Sequence, residues 1–453
     1  MTRTDIIIIG SGPGGYPAAC RAAAHGRSVT IIEDAEVGGT CLNCGCIPTK
    51  TLCRNAEIVE TLRDAESYGL GQMSYNLDFA QVMRRKADVV NQLRRGVETL
   101  LGAPGITLVR GHGSLLDNRT VAVGDDVYSA DNIIIATGSR PSMPPIEGIG
   151  LQGVVTSTGL LEVTEIPRRL CIVGAGVIGM ELASIFSSLG SEVTVIEFLK
   201  EALPSLDSDI AKRLRQTMAR RGVAFSMQSA VKSVRESTAQ NGSRQLTVTY
   251  EKKGKPAQAD ADVVLIATGR TPCVDGIGLE NAGVEYTRKG IAVDGNYMTS
   301  VPGIYAIGDV NGQCMLAHAA TFQGTRAINH ILGIGDKIRP QIMPAAVFTN
   351  PEAASVGYSE DECRASGIEY TCRKAFYRAN GKALAMNETE GMLKLLAAPD
   401  SGLLLGCHAF GAHAADMVQE VAALMNAQAT LATLADTVHI HPTLAEILHS
   451  AAL

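Results

Sequence analysis

The sequence lacks any unbroken run of about 18 apolar residues, which is the length that a membrane-spanning helix needs. It also lacks an excess of positive charge. Its formal net charge of −6 argues against a surface that neutralises nucleic-acid phosphates. The N-terminal residues 1-MTRTD-5 lack the basic leader and apolar core of a signal peptide and run directly into 6-IIII-9. We therefore expect a cytoplasmic protein that binds neither membranes nor nucleic acid.

The composition is typical of a glycine-rich α/β protein. Of the 453 residues, 47 are glycine, 46% are hydrophobic and 19% are charged. A chain of this length is too long for one hydrophobic core, so several domains are predicted. Low-complexity linkers are also lacking, and we expect the domains to pack closely.

One pattern occurs twice, as 6-IIIIGSGPGGYPAACRAAAHGRSVTIIE-33 and as 171-CIVGAGVIGMELASIFSSLGSEVTVIE-197. Each copy has an apolar strand, a G-x-G-x-x-G turn, a helix of small residues and a second strand that ends in glutamate. The glycines are Gly10, Gly12 and Gly15 in the first copy and Gly174, Gly176 and Gly179 in the second. Such glycines let the backbone approach a pyrophosphate at a helix N-terminus, and the acid accepts hydrogen bonds from ribose hydroxyls. The sequence therefore predicts two dinucleotide-binding units.

Each copy also has a feature of its own. Glu197 ends the second copy, and no arginine follows closely, Lys200 being the nearest cation. An acid at this position favours a free ribose hydroxyl over a 2′-phosphate, so the second unit is predicted to prefer NAD to NADP. In the first copy, Pro17 falls inside the predicted helix, where we expect the lost backbone donor to shift or kink the first turn.

Further apolar strands end in glycine turns, at 133-IIIATGSRP-141 and 263-VVLIATGRTP-272. They read as the return strands of the two nucleotide units. A third segment of this kind, 304-IYAIGDV-310, places Asp309 at a strand end. That aspartate either contacts the sugar-like chain of a nucleotide or caps a turn.

Cys41, Cys44 and Cys46 lie together in 38-GGTCLNCGCIPTK-50, directly before a predicted helix. Thiols near a helix N-terminus have lowered pKa values and serve well as redox centres. A zinc site would need a second C-x-x-C at suitable spacing, which the sequence lacks, and purely structural cysteines would not need the flanking glycines and lysine. The cluster is therefore predicted to be redox-active. The other cysteines are expected to be isolated thiols, at Cys20, Cys53, Cys171, Cys273, Cys314, Cys363, Cys372 and Cys407.

These motifs, taken together, resemble those of the flavoprotein disulfide reductases along the whole chain. The similar segments include 10-GSGPGGY-16, 38-GGTCLNCGCIPTK-50, 174-GAGVIGMEL-182, 304-IYAIGDV-310, 316-LAHAA-320, 347-VFTNPEAASVG-357, 380-NGKALAMNETEG-391 and 439-HIHPTLAE-446. Within that family, the chain is most similar to the enzymes that oxidise protein-bound dihydrolipoamide and reduce NAD⁺. The resemblance implies tightly bound FAD, exchangeable NAD, a homodimer, and a partner subunit that carries the lipoyl group.

The resemblance implies an α/β fold with two Rossmann-like domains and a C-terminal α+β interface domain. Residues 1–143 would be the first part of the FAD-binding domain and residues 144–270 the NAD-binding domain. Residues 271–338 would be the second part of the FAD-binding domain, and residues 339–453 the dimerisation domain.

The cofactor contacts that the resemblance implies fall in both nucleotide units. The FAD residues would be Gly10, Gly12, Gly15, Glu33, Lys50, Gly113, Thr137, Gly138, Ser139, Asp309 and Ala317. The NAD residues would be Gly174, Gly176, Val177, Ile178, Gly179, Glu197, Val231 and Gly269. No metal is implied.

The family pairs the two outer cysteines of the cluster. By resemblance, Cys41 exchanges with substrate, and Cys46 lies against the flavin as the thiolate that passes electrons to it. Lys50 and Glu181 would pair beside the reactive edge of the flavin. Cys44 stands where the family usually has valine, and it is either an inert apolar substitute or a competitor in disulfide exchange.

His441 and Glu446 are the catalytic base and its orienting acid by resemblance. A histidine–carboxylate pair suits the activation of a thiol, whose usual pKa of about 8.5 keeps it mostly protonated at neutral pH. Without the redox cysteines, such a histidine is more often a capping or core residue. In the family, the histidine reaches the disulfide of the other subunit.

Three alternatives stay open on the sequence. One is another disulfide reductase: the glutathione type usually has arginines near Glu197, and the mercuric type has a C-terminal cysteine pair where this chain has 449-HSAAL-453. A second is a non-catalytic protein that binds FAD and NADH, and a third is a structural subunit of a larger complex. The segment 318-HAATFQG-324, with Phe322, also departs from the family because it lacks the charged residues often present there.

Overall fold

The computed structural model describes residues 1–71, 73–239, 242 and 244–453. Its helices are α1 Gly15–Ala24, α2 Gly39–Cys44, α3 Cys46–Arg63, α4 Phe79–Leu101, α5 Ser157–Leu160, α6 Val177–Leu189, α7 Ser208–Arg220, α8 Ala317–Leu332, α9 Glu360–Ser366, α10 Gly381–Ala385, α11 Ala414–Asn426, α12 Leu431–Ala435 and α13 Glu446–Ala452. Short 3₁₀ helices lie at Ala65–Tyr68, Gly308–Asn311 and Tyr377–Ala379. In the described part of the chain, none of these helices is long and apolar enough to cross a membrane.

The strands alternate with these helices. They are β1 Thr2–Arg3, β2 Ile6–Ile9, β3 Val29–Glu33, β4 Ile106–Arg110, β5 Gly113–Leu115, β6 Thr120–Val123, β7 Asp126–Ser129, β8 Asn132–Ile135, β9 Ser139–Pro141, β10 Val154–Thr156, β11 Arg169–Val173, β12 Glu192–Ile196, β13 Ala224–Ser226, β14 Ser229–Thr238, β15 Arg244–Lys252, β16 Lys255–Ala261, β17 Val263–Ile266, β18 Arg270–Pro272, β19 Tyr286–Thr287, β20 Gly290–Ile291, β21 Ile304–Ala306, β22 Ala345–Val347, β23 Glu352–Gly357, β24 Thr371–Phe376, β25 Met392–Ala397 and β26 Leu404–Gly411.

The chain divides into two compact units, each built from separated stretches. Unit 1 contains Met1–Thr51, Ala80–Ser142 and Gly269–Ile338. Unit 2 contains Leu52–Phe79, Met143–Thr268 and Arg339–Leu453. The four-part division expected from the sequence stays a prediction.

Unit 1 is built on a parallel sheet of strand order β21-β8-β2-β3-β4. Strand β2 is four consecutive isoleucines, all buried, as expected for a parallel strand covered on both faces. Ile6 and Ile8 pack in a core that includes residues of α1, α4 and α8, whereas Ile7 and Ile9 pack in a second core with β5 and β6. Strand β2 is thus packed on both faces, and the first glycine turn begins at its end.

The expected kink at Pro17 is wrong, whereas the helix start is shifted: α1 begins three residues after Gly12, and α6 begins one residue after the matching Gly176. Helix α1 begins at Gly15 and continues through Pro17 to Ala24. Pro17 is the third residue of the helix, and the first four N–H groups of a helix have no partner within it. The proline therefore removes a donor that the helix does not use.

Unit 2 contains three sheets. A parallel sheet of order β10-β17-β11-β12-β13 carries the second glycine turn at the end of β11, and an antiparallel sheet, β14-β15-β16, shares a core with β11 and β17. The C-terminal antiparallel sheet has the order β22-β23-β26-β25-β24. Helices α11 and α13 contribute to its core, together with strands β23, β25 and β26.

A buried lysine joins the C-terminal sheet to the start of α7. Lys394 lies in the apolar strand β25, and both its side chain and that of Asp207 are only 1% exposed. The Lys394 Nζ lies 2.7 and 2.8 Å from the two Asp207 carboxylate oxygens, and it also bonds Glu360. Asp207 caps α7 by accepting from the N–H groups of Asp209 and Ile210. Because an unpaired buried charge is very costly, these groups hold one another in place.

The same charge network also lowers the pKa of the Asp207 carboxyl. Burial alone would raise the pKa of the Asp207 carboxyl, but the hydrogen bond and charge of Lys394 outweigh it, so the pKa lies below its usual value of 3.8. A depressed pKa stabilises the fold above the unfolded value, and that stability is lost as the pH falls through the folded value.

We predict that Lys394→Met lowers the free energy of unfolding by about 3–5 kcal/mol, because it leaves Asp207 buried without its cation. The matched control is Lys374→Met. Lys374 pairs with Asp209 at 3.2 Å with its side chain 37% exposed, so the change should cost only about 0–1 kcal/mol. The measurement is guanidinium unfolding at fixed protein concentration. The difference in unfolding free energy between wild type and Lys394→Met should decrease below about pH 4, where Asp207 becomes protonated. Equal unfolding midpoints for Lys394→Met and Lys374→Met near neutral pH would contradict the prediction.

Candidate active site and nucleotide-binding turns

The first glycine turn follows β2 and has no room for side chains at two of its glycines. Gly10 has a φ of +105°, and a Cβ added there would overlap the Ala136 carbonyl oxygen. A Cβ on Gly15 would overlap the Gly10 carbonyl oxygen. At Gly12, by contrast, only the Gly39 Cα lies within reach, at 3.9 Å. The turn is therefore closed by its outer glycines, while the backbone at Gly12 is open to a ligand.

The second turn repeats this geometry after β11. Gly174 has a φ of +108°, and an added Cβ would overlap the Ala267 carbonyl oxygen; a Cβ on Gly179 would overlap the Gly174 oxygen. Gly176 has no atom within 4 Å of an added Cβ. Gly176 is also the residue before α6, which begins with the predicted NAD residues Val177 and Ile178. The open space therefore lies at a helix N-terminus, where a pyrophosphate is favoured.

The two terminal glutamates are held by the same backbone positions in both units. In unit 1, Glu33 accepts from the Ser11 N–H at 2.8 Å, the Ser11 hydroxyl at 2.6 Å and the Ala35 N–H at 3.0 Å. In unit 2, Glu197 accepts from the Ala175 N–H at 2.6 Å and the Leu199 N–H at 2.7 Å. Each acid is thus fixed beside its glycine turn, as the predicted ribose contact requires.

Asp309 lies in a polar network within unit 1. Its carboxylate accepts from the Ser139 hydroxyl at 2.5 Å and lies 3.8 Å from the Arg270 guanidinium. Arg270 donates to the Ser139 hydroxyl at 2.7 Å and to the Ser139 carbonyl at 2.6 Å. The sequence analysis gave Arg270 no role. Its signal was its position directly after the second A-T-G turn, matching Ser139 after the first.

The remaining predicted FAD residues also lie in unit 1. Gly113 begins β5 against Ile9 and Ile32, since an added Cβ would lie 3.2 Å from both side chains. Thr137 donates its hydroxyl to the Cys273 carbonyl at 2.8 Å, and Gly138 has a φ of +71°. Ala317 is the first residue of α8.

The remaining predicted NAD residues are divided between the units. Val231 lies in β14 of unit 2 and packs against the core that β11 and β17 share. Gly269, with a φ of +122°, falls in unit 1, where its carbonyl accepts from the Ser142 N–H at 2.9 Å. A role of Gly269 in NAD binding stays a prediction.

The redox segment folds as two helices with a break between them. Helix α2 ends at Cys44, and α3 begins at Cys46; Gly45 lies between them, where an added Cβ would lie 2.9 Å from the Thr40 carbonyl oxygen. The Cys41 and Cys46 side chains are hydrogen-bonded to each other. That hydrogen bond raises the pKa of the Cys41 thiol, burial raises it further, and the charge of Lys50 opposes both effects.

His441 and Glu446 also meet, in unit 2. The His441 Nδ1 lies 2.9 Å from a Glu446 carboxylate oxygen, and the histidine side chain is 80% exposed. The Thr443 N–H donates to the second Glu446 oxygen at 2.9 Å. The hydrogen bond from the Thr443 N–H is the largest effect on the pKa of the Glu446 carboxyl, and the hydrogen bond from His441 is the second. Both hold this pKa below its usual range. An ionised Glu446 can thus orient the ring and leave Nε2 facing solvent.

Glu181 is buried in α6 and accepts from the Phe348 N–H at 2.9 Å. Lys50 and Glu181 belong to different units, as do Cys41 and His441. The predicted pairing of Lys50 with Glu181, and of His441 with the disulfide of a second subunit, therefore stays a prediction.

The residues of both units fit a dinucleotide. Each unit presents an open glycine, Gly12 or Gly176, at the start of a helix, and an acid held beside it. These are the features that pyrophosphate and ribose binding need. The Asp309 network lies on a further loop of unit 1 and would suit the hydroxyls of a longer sugar-like chain.

The chain matches known proteins over nearly its whole length. Residues 4–324 match the family described as pyridine nucleotide-disulphide oxidoreductase, and residues 343–452 match its dimerisation domain. The dihydrolipoyl dehydrogenase of Geobacillus stearothermophilus is 39% identical over 454 residues, covering 99% of this chain and 95% of the relative. The same-named protein of Bacillus subtilis is 39% identical over 455 residues, covering 99% and 96%.

A solved structure supports the same assignment. The HOCl-induced flavoprotein disulfide reductase RclA from Escherichia coli, in its Cu(II) complex, has a TM-score of 0.88 and 31% identity, covering 100% of this chain and 99% of that one. The dimerisation-domain match supports a homodimer. The chain belongs to the pyridine nucleotide-disulphide oxidoreductase family and is an NAD-dependent flavoprotein oxidoreductase that uses FAD and NAD.

Proposed function

We propose that the protein is a dihydrolipoyl dehydrogenase. It oxidises dihydrolipoamide carried by a partner subunit of a 2-oxo acid dehydrogenase or glycine cleavage complex and reduces NAD⁺ to NADH. The observation that carries the proposal is the hydrogen-bonded thiol pair Cys41 and Cys46 beside Lys50, at the start of α3. Two relatives of this name that are 39% identical along the chain support the choice of substrate.

The exposed His441 begins the reaction. Oriented by Glu446, its Nε2 takes a proton from one substrate thiol, and the resulting thiolate attacks the Cys41 Sγ of the oxidised pair. The Cys41–Cys46 bond breaks, and Cys46 leaves as a thiolate. The second substrate thiol then attacks the substrate sulfur of the mixed disulfide and closes the lipoamide ring, and its proton passes to the released Cys41 sulfur.

The electron pair leaves the reduced thiols through the Cys46 thiolate. FAD supplies a two-electron relay between Cys46 and NAD⁺. In unit 2, the held carboxylate of Glu197 favours a ribose with a free 2′-hydroxyl, which supports NAD over NADP. We further propose that the homodimer works in the cytoplasm, where the lipoyl-bearing partner meets it.

The rival disulfide reductases use other electron donors or thiol arrangements. A glutathione-type enzyme would use NADPH, which Glu197 opposes by its charge. A mercuric-type enzyme would use a C-terminal cysteine pair, and residues 449–453 contain no cysteine. A non-catalytic binding protein would have no use for the thiol pair and the His441–Glu446 pair together.

We predict that the purified flavoprotein reduces NAD⁺ with dihydrolipoamide, and that His441→Gln lowers kcat by about 10²–10⁴-fold, the usual contribution of a general base. Cys46→Ser should abolish turnover because it removes the sulfur that passes electrons to FAD. The matched control is His439→Gln, since His439 bonds Glu420 at 3.0 Å with its side chain only 6% exposed. This control should keep most of the activity. Reduction of glutathione disulfide by NADPH without dihydrolipoamide turnover would overturn the proposal.

We predict opposite effects for two neighbouring glycines of the second turn. Gly176→Ala has space for its methyl group, so the protein should fold normally but bind NAD⁺ about tenfold or more weakly, because the methyl group occupies the place of the pyrophosphate. Gly174→Ala should instead lower the unfolding midpoint, because its Cβ overlaps the Ala267 oxygen and φ is positive.

Calorimetric titration with NAD⁺ and thermal unfolding followed by circular dichroism measure the two effects separately. The FAD content, read from visible absorbance, should stay at the wild-type level in Gly176→Ala, since that residue lies in unit 2. Wild-type NAD⁺ affinity in Gly176→Ala would contradict the assignment of this turn to NAD.

A further inference from the structure

The redox segment holds a third thiol that the proposed reaction does not use. Cys44 is the last residue of α2, and Cys41 lies three positions before it in the same helix. Cys46 begins α3 on the other side of Gly45, and all three cysteines are half-buried. The segment therefore contains two overlapping spacings that suit a disulfide, C-x-x-C and C-x₄-C, which share Cys41.

The helical spacing brings Cys44 close to Cys41. Residues three positions apart lie on one face of a helix with Cβ atoms about 5–6 Å apart. A disulfide needs a Cβ–Cβ distance of about 3.5–4.5 Å. A movement of roughly 1–2 Å at Cys44 would therefore join the two sulfur atoms.

The movement falls on the last residue of α2. The amide of Asn43 donates to the carbonyls of Val37 and Gly39, both at 3.0 Å, and its oxygen accepts from Arg94 at 3.0 Å. These bonds fix the body of the short helix. Cys44 follows them at the end of the helix, where helices fray, and on its other side the Gly45 carbonyl accepts from the Thr49 hydroxyl at 2.6 Å.

We infer that Cys44 is a third exchanging thiol, which converts the Cys41–Cys46 disulfide into a Cys41–Cys44 disulfide. The inference rests on the proposed function, because that function supplies the Cys41–Cys46 disulfide. The Cys44 thiol loses its proton to solvent, and its sulfur attacks the Cys41 Sγ. The Cys41–Cys44 bond forms, the Cys41–Cys46 bond breaks, and Cys46 takes the electron pair as a thiolate. The exchange needs no oxidant or reductant, because the number of disulfides is unchanged.

The rearranged protein is an oxidised form that cannot start turnover in the usual way. Cys41, the sulfur that substrate attacks, is tied to Cys44 instead of Cys46. Attack on Cys41 would then release Cys44 instead of Cys46, the sulfur proposed to pass electrons to FAD. Because exchange proceeds through a thiolate, the rearranged fraction should grow faster as the pH rises.

The test locates the free thiol of the oxidised flavoprotein. The protein is oxidised with lipoamide, quenched in acid and alkylated with a first label; it is then reduced and alkylated with a second label. Trypsin leaves the three cysteines in one peptide, residues 28–50, because no lysine or arginine lies between Arg27 and Lys50. Fragment-ion sequencing therefore reads the first label position by position. We expect it on Cys44 in one fraction of molecules and on Cys46 in another.

Two variants complete the test. In Cys46→Ser, lipoamide should remove both remaining thiols of the peptide, because Cys44 resolves the mixed disulfide that lipoamide forms with Cys41. In Cys44→Ser/Cys46→Ser, that mixed disulfide should persist and add the mass of the lipoamide adduct. Visible absorbance of bound FAD checks that both variants fold.

Different results would overturn the exchange at Cys44 and the proposed function. First label on Cys44 alone in the wild type, or a persistent mixed disulfide in Cys46→Ser, overturns the exchange and leaves the proposed function standing. First label on all three cysteines after lipoamide overturns the proposed function itself, because no redox disulfide then forms.

Discussion

Both nucleotide units depend on a backbone turn so tight that carbonyl oxygens occupy the place of side chains. The Gly10 oxygen fills the position of a Cβ on Gly15, and the Gly174 oxygen does so at Gly179. This contact draws the helix start against the end of the strand and directs its free N–H groups to one point. The acid at the end of the next strand can then bond the same loop. A single steric condition thus generates the helix direction, the anion site and the sugar contact.

The parts of the fold that are predictable from sequence are those with a local cause. The four isoleucines of β2 indicate a strand buried on both faces, and the structure distributes them alternately between two cores. The expected kink at Pro17 is wrong because the cost of a proline depends on its position in a helix, and that position is known only once the helix start is fixed. Lys394 was missed altogether. Its partner Asp207 lies 187 positions away, so its strand reads as an apolar run with one misplaced charge.

In the candidate site, too, only the features that lie within one short segment are predictable from sequence. The glycines, the terminal acids and the cysteine cluster follow from spacing alone, since each group lies within one short segment. The Asp309 network does not, because Ser139 and Arg270 are 131 positions apart and meet only when two return segments pair as β9 and β18. The His441–Glu446 contact is only partly predictable from sequence. Five positions separate the two residues, but the turn before α13 is needed to bring the ring to the carboxylate.

The hydrogen-bond partners of the two terminal glutamates, Glu33 and Glu197, differ by one hydroxyl donor. Glu33 accepts hydrogen bonds from the Ser11 hydroxyl as well as from two backbone N–H groups, whereas Glu197 has Ala175 at the matching position. Both carboxylates are immobilised by their own chain, so a ribose arriving there loses little conformational entropy of the protein. The Ser11 hydroxyl thus gives Glu33 one hydrogen bond more than Glu197 has. With the predicted ribose contacts, the sugar bound in unit 1 would meet the more firmly held of the two carboxylates.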